Sequence, residues 1–195
     1  MSDLNSSCCI QLPSWVSKHV KLGDALVTEK ARMAMAIALS EGQVIEGTGG
    51  PFGALICDIG SGEVLGIGVN RVTATCLSSA HAECVAWSMA QQHLATHDLS
   101  GRPVALYSSA QPCIGCWGGL FWTGVVRLVY GATKKDVEII AGFDEGPVPR
   151  DWKKRLQQQG ISVEGPQMRS EAQRVLQAYR DQGGVIYNPG NRPSL

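Results

Sequence analysis

Val104-Ala105-Leu106-Tyr107-Ser108, then Gln111-Pro112-Cys113-Ile114-Gly115-Cys116, then Val125-Val126-Arg127-Leu128-Val129-Tyr130 is an apolar run, a helix start and a second apolar run. Strand, helix and strand in that order predict two parallel strands joined by a right-handed crossover. Pro112 suits the first turn of a helix running to Thr123, because its missing N–H would be unpaired at a helix start anyway. Cys113 and Cys116 then stand one turn apart on a single face. The unpaired amides and dipole at a helix start favour thiolate over thiol.

A second helix start lies upstream, at Ser79-Ala80-His81-Ala82-Glu83, where Ser78 or Ser79 can cap a helix from His81 to Leu94. The two starts can aim their side chains at one metal. His81, Cys113 and Cys116 form an N/S trio that leaves a fourth zinc position for water, and Glu83 remains to carry protons. Taken alone, Cys-x-x-Cys also fits a redox pair or a structural zinc site, and His-x-Glu says almost nothing. Together they point to catalytic zinc, because neither alternative needs a glutamate two residues from the histidine.

The remaining chain supplies a frame for this pair. Residues 1–24 read as an N-terminal extension, either a short amphipathic turn through Leu12, Trp15, Val16 and Val20 or a loosely held terminus. From Asp24 an alanine-rich apolar helix runs to Gly42 or Gly47. Phe52–Ile59 and Glu63–Val69 read as a hairpin turned at Gly60-Ser61-Gly62. Asn70, in the polar loop after it, is either a turn cap or a side-chain amide facing a heterocycle. Further on come a helix over Thr133–Ala141, an acidic loop Gly142-Phe143-Asp144-Glu145-Gly146-Pro147, a helix over Arg150–Gln159, a strand over Ile161–Glu164 and a helix over Ser170–Gln182. The sum is one α/β domain over 25–182: a three-layer α/β/α sandwich around a mixed sheet of about five strands. Residues 183–195 form a tail apolar enough to dock.

Composition narrows the function. The 195 residues carry 17 basic and 17 acidic side chains, so no net field draws in a nucleic-acid backbone, and a small-molecule partner is expected. No stretch approaches the roughly 18 apolar residues of a membrane span. Seven cysteines without a secretory start imply reduced thiols and a cytoplasmic protein, with Cys57, Cys76 and Cys84 as small core residues.

His81-Ala82-Glu83 with Pro112-Cys113-x-x-Cys116 resembles the cytidine deaminase superfamily, the zinc-dependent nucleobase deaminases. Pro51-Phe52-Gly53-Ala54, Asn70 and Gly142-Phe143-Asp144-Glu145 resemble its guanine deaminase branch. The resemblance covers about residues 25–146 and implies a homodimer with one zinc per subunit, a C-terminal segment closing the site, and hydrolysis of guanine to xanthine and ammonia. Other small amino-heterocycles such as ammeline are further expected substrates. It implies catalytic roles for Glu83 and Glu145 and metal ligation by His81, Cys113 and Cys116. It also implies a purine site formed by Asn70, Ala82, Phe52, Trp122, Asp144 and Tyr187. Guanine's N–H edge needs an acceptor, which Glu145 or Asp144 supplies, while Trp122 also reads as core or dimer contact. Gln111 and Ile114-Gly115 depart from the family's usual residues around the cysteines, which bears on pocket shape. The competing readings are a tRNA adenosine or other nucleobase deaminase, and a non-catalytic relative held together by zinc.

Overall fold

The computed structural model describes residues 8–188, so positions 1–7 of the N-terminal segment and 189–195 of the tail lie outside it. Five strands form one mixed sheet: β1 (Gly53–Asp58), β2 (Val64–Val69), β3 (Val104–Ala110), β4 (Arg127–Ala132) and β5 (Ser162–Glu164), in the order β2-β1-β3-β4-β5. β1 pairs antiparallel with both β2 and β3, whereas β4 pairs parallel with β3 and with β5. Four strands therefore run in one direction and β1 alone runs against them.

Successive strand residues feed two cores, as the two-residue period of a strand demands. Leu55, Cys57, Tyr107 and Val129 pack with α1 (Glu29–Glu46) and α7 (Arg169–Asp181). Ala54, Ile56, Leu106 and Leu128 pack on the other face with α3 (Ala82–His93), α4 (Ile114–Leu120) and α6 (Trp152–Gln158). Each Leu buried this fully contributes roughly 1.5–3 kcal/mol. This is the three-layer α/β/α sandwich expected. Two single-turn helices complete it: α2 (Val72–Thr75), within the expected polar loop, and α5 (Lys134–Asp136), which continues as a π-helical turn over Val137–Ala141. Among the described residues no helix is long and apolar enough to cross a membrane.

Three boundaries differ from expectation for identifiable reasons. α1 begins at Glu29, capped by the Thr28 hydroxyl, which accepts from the Ala31 N–H at 3.1 Å. Residues 24–28 are held otherwise: Ala25 bridges to Glu63, and the buried Arg32 donates to the Leu26 and Val27 carbonyls. Tertiary pairing here overrides an apolar helical pattern. Gly42 lies inside α1, which ends at Gly47 in the left-handed conformation (φ 59°). Neither Ser78 nor Ser79 caps α3, and Pro112 stands before α4; the caps are His81 and Cys113 themselves. Cys76, expected in the core, is exposed at the end of α2.

The direction of the strands gathers one set of loops at one edge. The segments after β2, β3 and β4 all leave the sheet there, and the chain enters the oppositely running β1 there. α3 lies flush on β2: a Cβ at Gly66 or Gly68 would overlap the Ala86 or Ala82 carbonyl. Only glycine permits this approach, and it seats the start of α3 beside that edge.

Candidate active site

His81 as the cap of α3, Cys113 as the cap of α4 and Cys116 in the first turn of α4 converge, although 32 residues separate the first two. Cys113 Sγ lies 3.5 Å from His81 Nδ1, and the donor atoms of the three residues all fall within 4.8 Å of one another. A tetrahedral zinc with Zn–S about 2.3 Å and Zn–N about 2.0 Å holds such an S/N pair about 3.5 Å apart, so the donor set and its spacing fit zinc. Hydrogen bonding from the Cys116 thiol outweighs burial and, with His81, brings Cys113 down to about 4, in keeping with a thiolate ligand.

Glu83, in the first turn of α3, is 6% exposed. Its Oε1 accepts from the Ser108 hydroxyl at 3.3 Å and its Oε2 from the Cys116 thiol at 3.4 Å. Burial first, and the neighbouring Cys113 charge second, raise its carboxyl above the ordinary range. Ser108 escaped the sequence reading; its one signal is a polar residue near the end of the apolar strand β3.

A cavity of about 280 Å³ opens over these groups, small enough for a single heterocycle. Phe52, Asn70, Ala82, Asp144, Glu145 and Tyr187 all line it. Asn70 is 1% exposed; its Oδ1 accepts from the Val72 N–H at 3.2 Å, while its Nδ2 has no partner among the described residues. A buried amide N–H₂ facing a cavity calls for an acceptor from whatever enters. Glu145, 8% exposed, is pushed up to about 8 by burial and then by the charges of Cys113 and Glu83. Its backbone carbonyl accepts from the Ile114 N–H at 3.0 Å, which ties the acidic loop to the cysteine helix. Asp144 differs in kind: it is exposed, and its carboxylate accepts from the Gly146 N–H within its own turn.

Trp122 is a correction. It is 83% exposed and stands outside the cavity, because α4 ends at Leu120 and the chain turns through Phe121. Phe143, quoted in the loop but not singled out, supplies the aromatic wall instead. Its ring centroid lies 5.1 Å from that of Phe52 and 4.9 Å from that of Tyr187. Gln111 also lines the cavity, its Oε1 accepting from the Lys134 N–H at 3.2 Å. The tail is clasped over the loop by Asn188, which donates to the Gly142 carbonyl at 3.0 Å and accepts from the Asp144 N–H at 2.7 Å.

Comparison with known proteins agrees with this arrangement. Residues 27–132 match the cytidine and deoxycytidylate deaminase zinc-binding region. A guanine deaminase of Bacillus subtilis is 32% identical over 126 residues, covering 65% of this chain and 78% of the relative. The solved guanine deaminase from Nitrosomonas europaea superposes with a TM-score of 0.86 at 37% identity, over 91% of this chain and 98% of its own. A structure of NE0047 in complex with 2,6-diaminopurine superposes with a TM-score of 0.88 at 39% identity, over 95% and 98%.

Proposed function

Since the chain belongs to the cytidine and deoxycytidylate deaminase zinc-binding family, it is a zinc-dependent hydrolytic deaminase, and we propose that guanine is its substrate, released as xanthine and ammonia. The observation that carries the assignment is the meeting of a buried carboxyl, Glu145, with the unpaired Asn70 amide in one small cavity beside the metal ligands and Glu83. Guanine offers N1–H and an exocyclic amine as donors and ring nitrogens and O6 as acceptors. Glu145 answers the first set and Asn70 the second.

His81, Cys113 and Cys116 would hold the zinc, one ion per subunit, and the bound ion would supply a water acidified to about pKa 7. Glu83 takes one proton from the attacking water and delivers it to a ring nitrogen, then carries the water's second proton, from the new hydroxyl on the ring carbon, to the amine, which leaves as ammonia when the C–N bond breaks. The Ser108 hydroxyl, donating to Oε1, orients the carboxylate for both transfers. The donors of guanine favour ionised Glu145 against the burial that raises it, so substrate binding itself sets the charge of this group. Phe52, Phe143 and Tyr187 give the ring apolar walls, and Ala82 stands beside Glu83 at the floor.

We place the catalytic unit at residues 25–182, with 1–24 as an extension and 183–195 as the tail that closes the site. Free thiols at all seven cysteines suit a cytoplasmic protein of purine metabolism. The exposed Trp122, next to Phe121 and near Val126, suits burial against a second copy. Sedimentation of the intact protein should give a homodimer; a monomer at micromolar concentration would remove that part of the reading. The substrate is tested by ammonia release from zinc-loaded protein given guanine, adenine, cytosine, cytidine and ammeline. Release is expected from guanine, and a panel in which guanine alone stays unreacted would sink the assignment.

A further inference from the structure

The N-terminal segment reaches Asn70 through a directed series of hydrogen bonds. Trp15, 5% exposed in a 3-10 turn over Ser14–Lys18, donates its indole N–H to the Thr48 hydroxyl at 3.0 Å. An indole nitrogen can only donate, so the hydroxyl accepts there and keeps its own hydrogen for another partner. That partner is Oε1 of Gln43. With its oxygen engaged, the fully buried Gln43 turns its N–H₂ to the backbone carbonyls of Asn70 and Gly50. The two ends of a buried amide are close in shape, so it is the hydroxyl, polarised from Trp15, that selects which end faces Asn70. Arg71 adds a second tie, donating Nη1 to the Thr48 carbonyl at 2.7 Å.

Packing leaves this series no slack. A Cβ at Gly42 would overlap the Trp15 ring, and one at Gly49 would overlap both the Asn70 carbonyl and Gln43 Nε2. Trp15 itself precedes the region 27–132 that the family shares.

We propose that Trp15, Thr48 and Gln43 are positioning residues that hold Asn70 at the angle from which it reads the purine, so that the N-terminal segment takes part in substrate recognition. This rests on Asn70 as a purine reader. A contact set by a rigid support is lost steeply when the support shifts by a fraction of an ångström.

The experiment uses full-length, zinc-loaded protein and measures the Kd of 8-azaguanine, kcat and KM for guanine, and Tm. The variants are Trp15→Phe, Thr48→Val and Gln43→Met, each alone and combined with Asn70→Ala. Each single substitution should raise Kd and KM about 3- to 10-fold, the scale of one hydrogen bond, with a smaller change in kcat. None should weaken binding further once Asn70 is Ala, because groups acting through one contact are not additive. If Gln43→Met fails to fold, Gly42→Ala displaces the indole while favouring the helix, and the same outcomes apply to it. Variants that lower Tm but leave Kd and KM unchanged overturn the proposal, as do losses that add to that of Asn70→Ala. An Asn70→Ala protein that binds 8-azaguanine normally would instead overturn the role of Asn70, and this inference with it.

Discussion

In the proposed reaction Glu83 is the residue on which the chemistry turns. It is no metal ligand, yet it lies within hydrogen-bonding distance of one. Glu83→Gln keeps the shape and removes the proton carrier, so kcat should fall about 10²- to 10⁴-fold while zinc content, measured by metal analysis, stays at one per subunit. An unchanged kcat would remove Glu83 as the proton carrier. The metal-ligand set His81, Cys113 and Cys116, and the place of Glu83 beside it, were legible in the sequence because they follow from spacing within two short stretches. Trp122 was misplaced because the direction of a side chain just past a helix end depends on how the chain turns, which spacing does not record. Ser108, Phe143 and the Gln43 contact to Asn70 are products of tertiary approach, and the sequence held little more than a polar residue in an apolar strand to betray them.

At the scale of elements, helix and strand existence followed from apolar periodicity, whereas α1, α3 and α4 start later than the sequence pattern suggests. At α3 and α4 the capping positions are occupied by His81 and Cys113, and the preceding Ser79 and Pro112 remain outside. α5 and α7 show a different use of a cap. Asp136 forms a capping box with Thr133 and also accepts from Arg169 Nε at 2.8 Å, Arg169 Nη2 at 2.7 Å and Gln173 at 2.8 Å. Arg169 first, then Thr133 and Gln173, hold this carboxyl well below the usual range. A lowered folded-state pKa gives stability that is complete above the unfolded value of about 4 and is lost as pH falls below it. Asp136→Asn should therefore cost about 2–4 kcal/mol in denaturant unfolding at pH 7, and the gap between variant and parent should narrow at pH 3. A gap independent of pH would mean that packing, not charge, fixes the contact.

For the whole molecule, the one reversed strand decides where chemistry can occur. With β2, β3 and β4 all ending at the same edge, Asn70, the cysteine pair and the acidic loop, far apart in sequence, arrive together without any one loop being long. The opposite edge, where β3, β4 and β5 begin, holds none of the site residues. There the exposed Gln159 and Gly160 precede β5; Gly160 holds a φ of 81° that suits glycine, so Gln159 is the position to modify. That turn is a natural handle: a tether to a solid support or an inserted reporter domain joined there would leave the mouth of the cavity facing the solution.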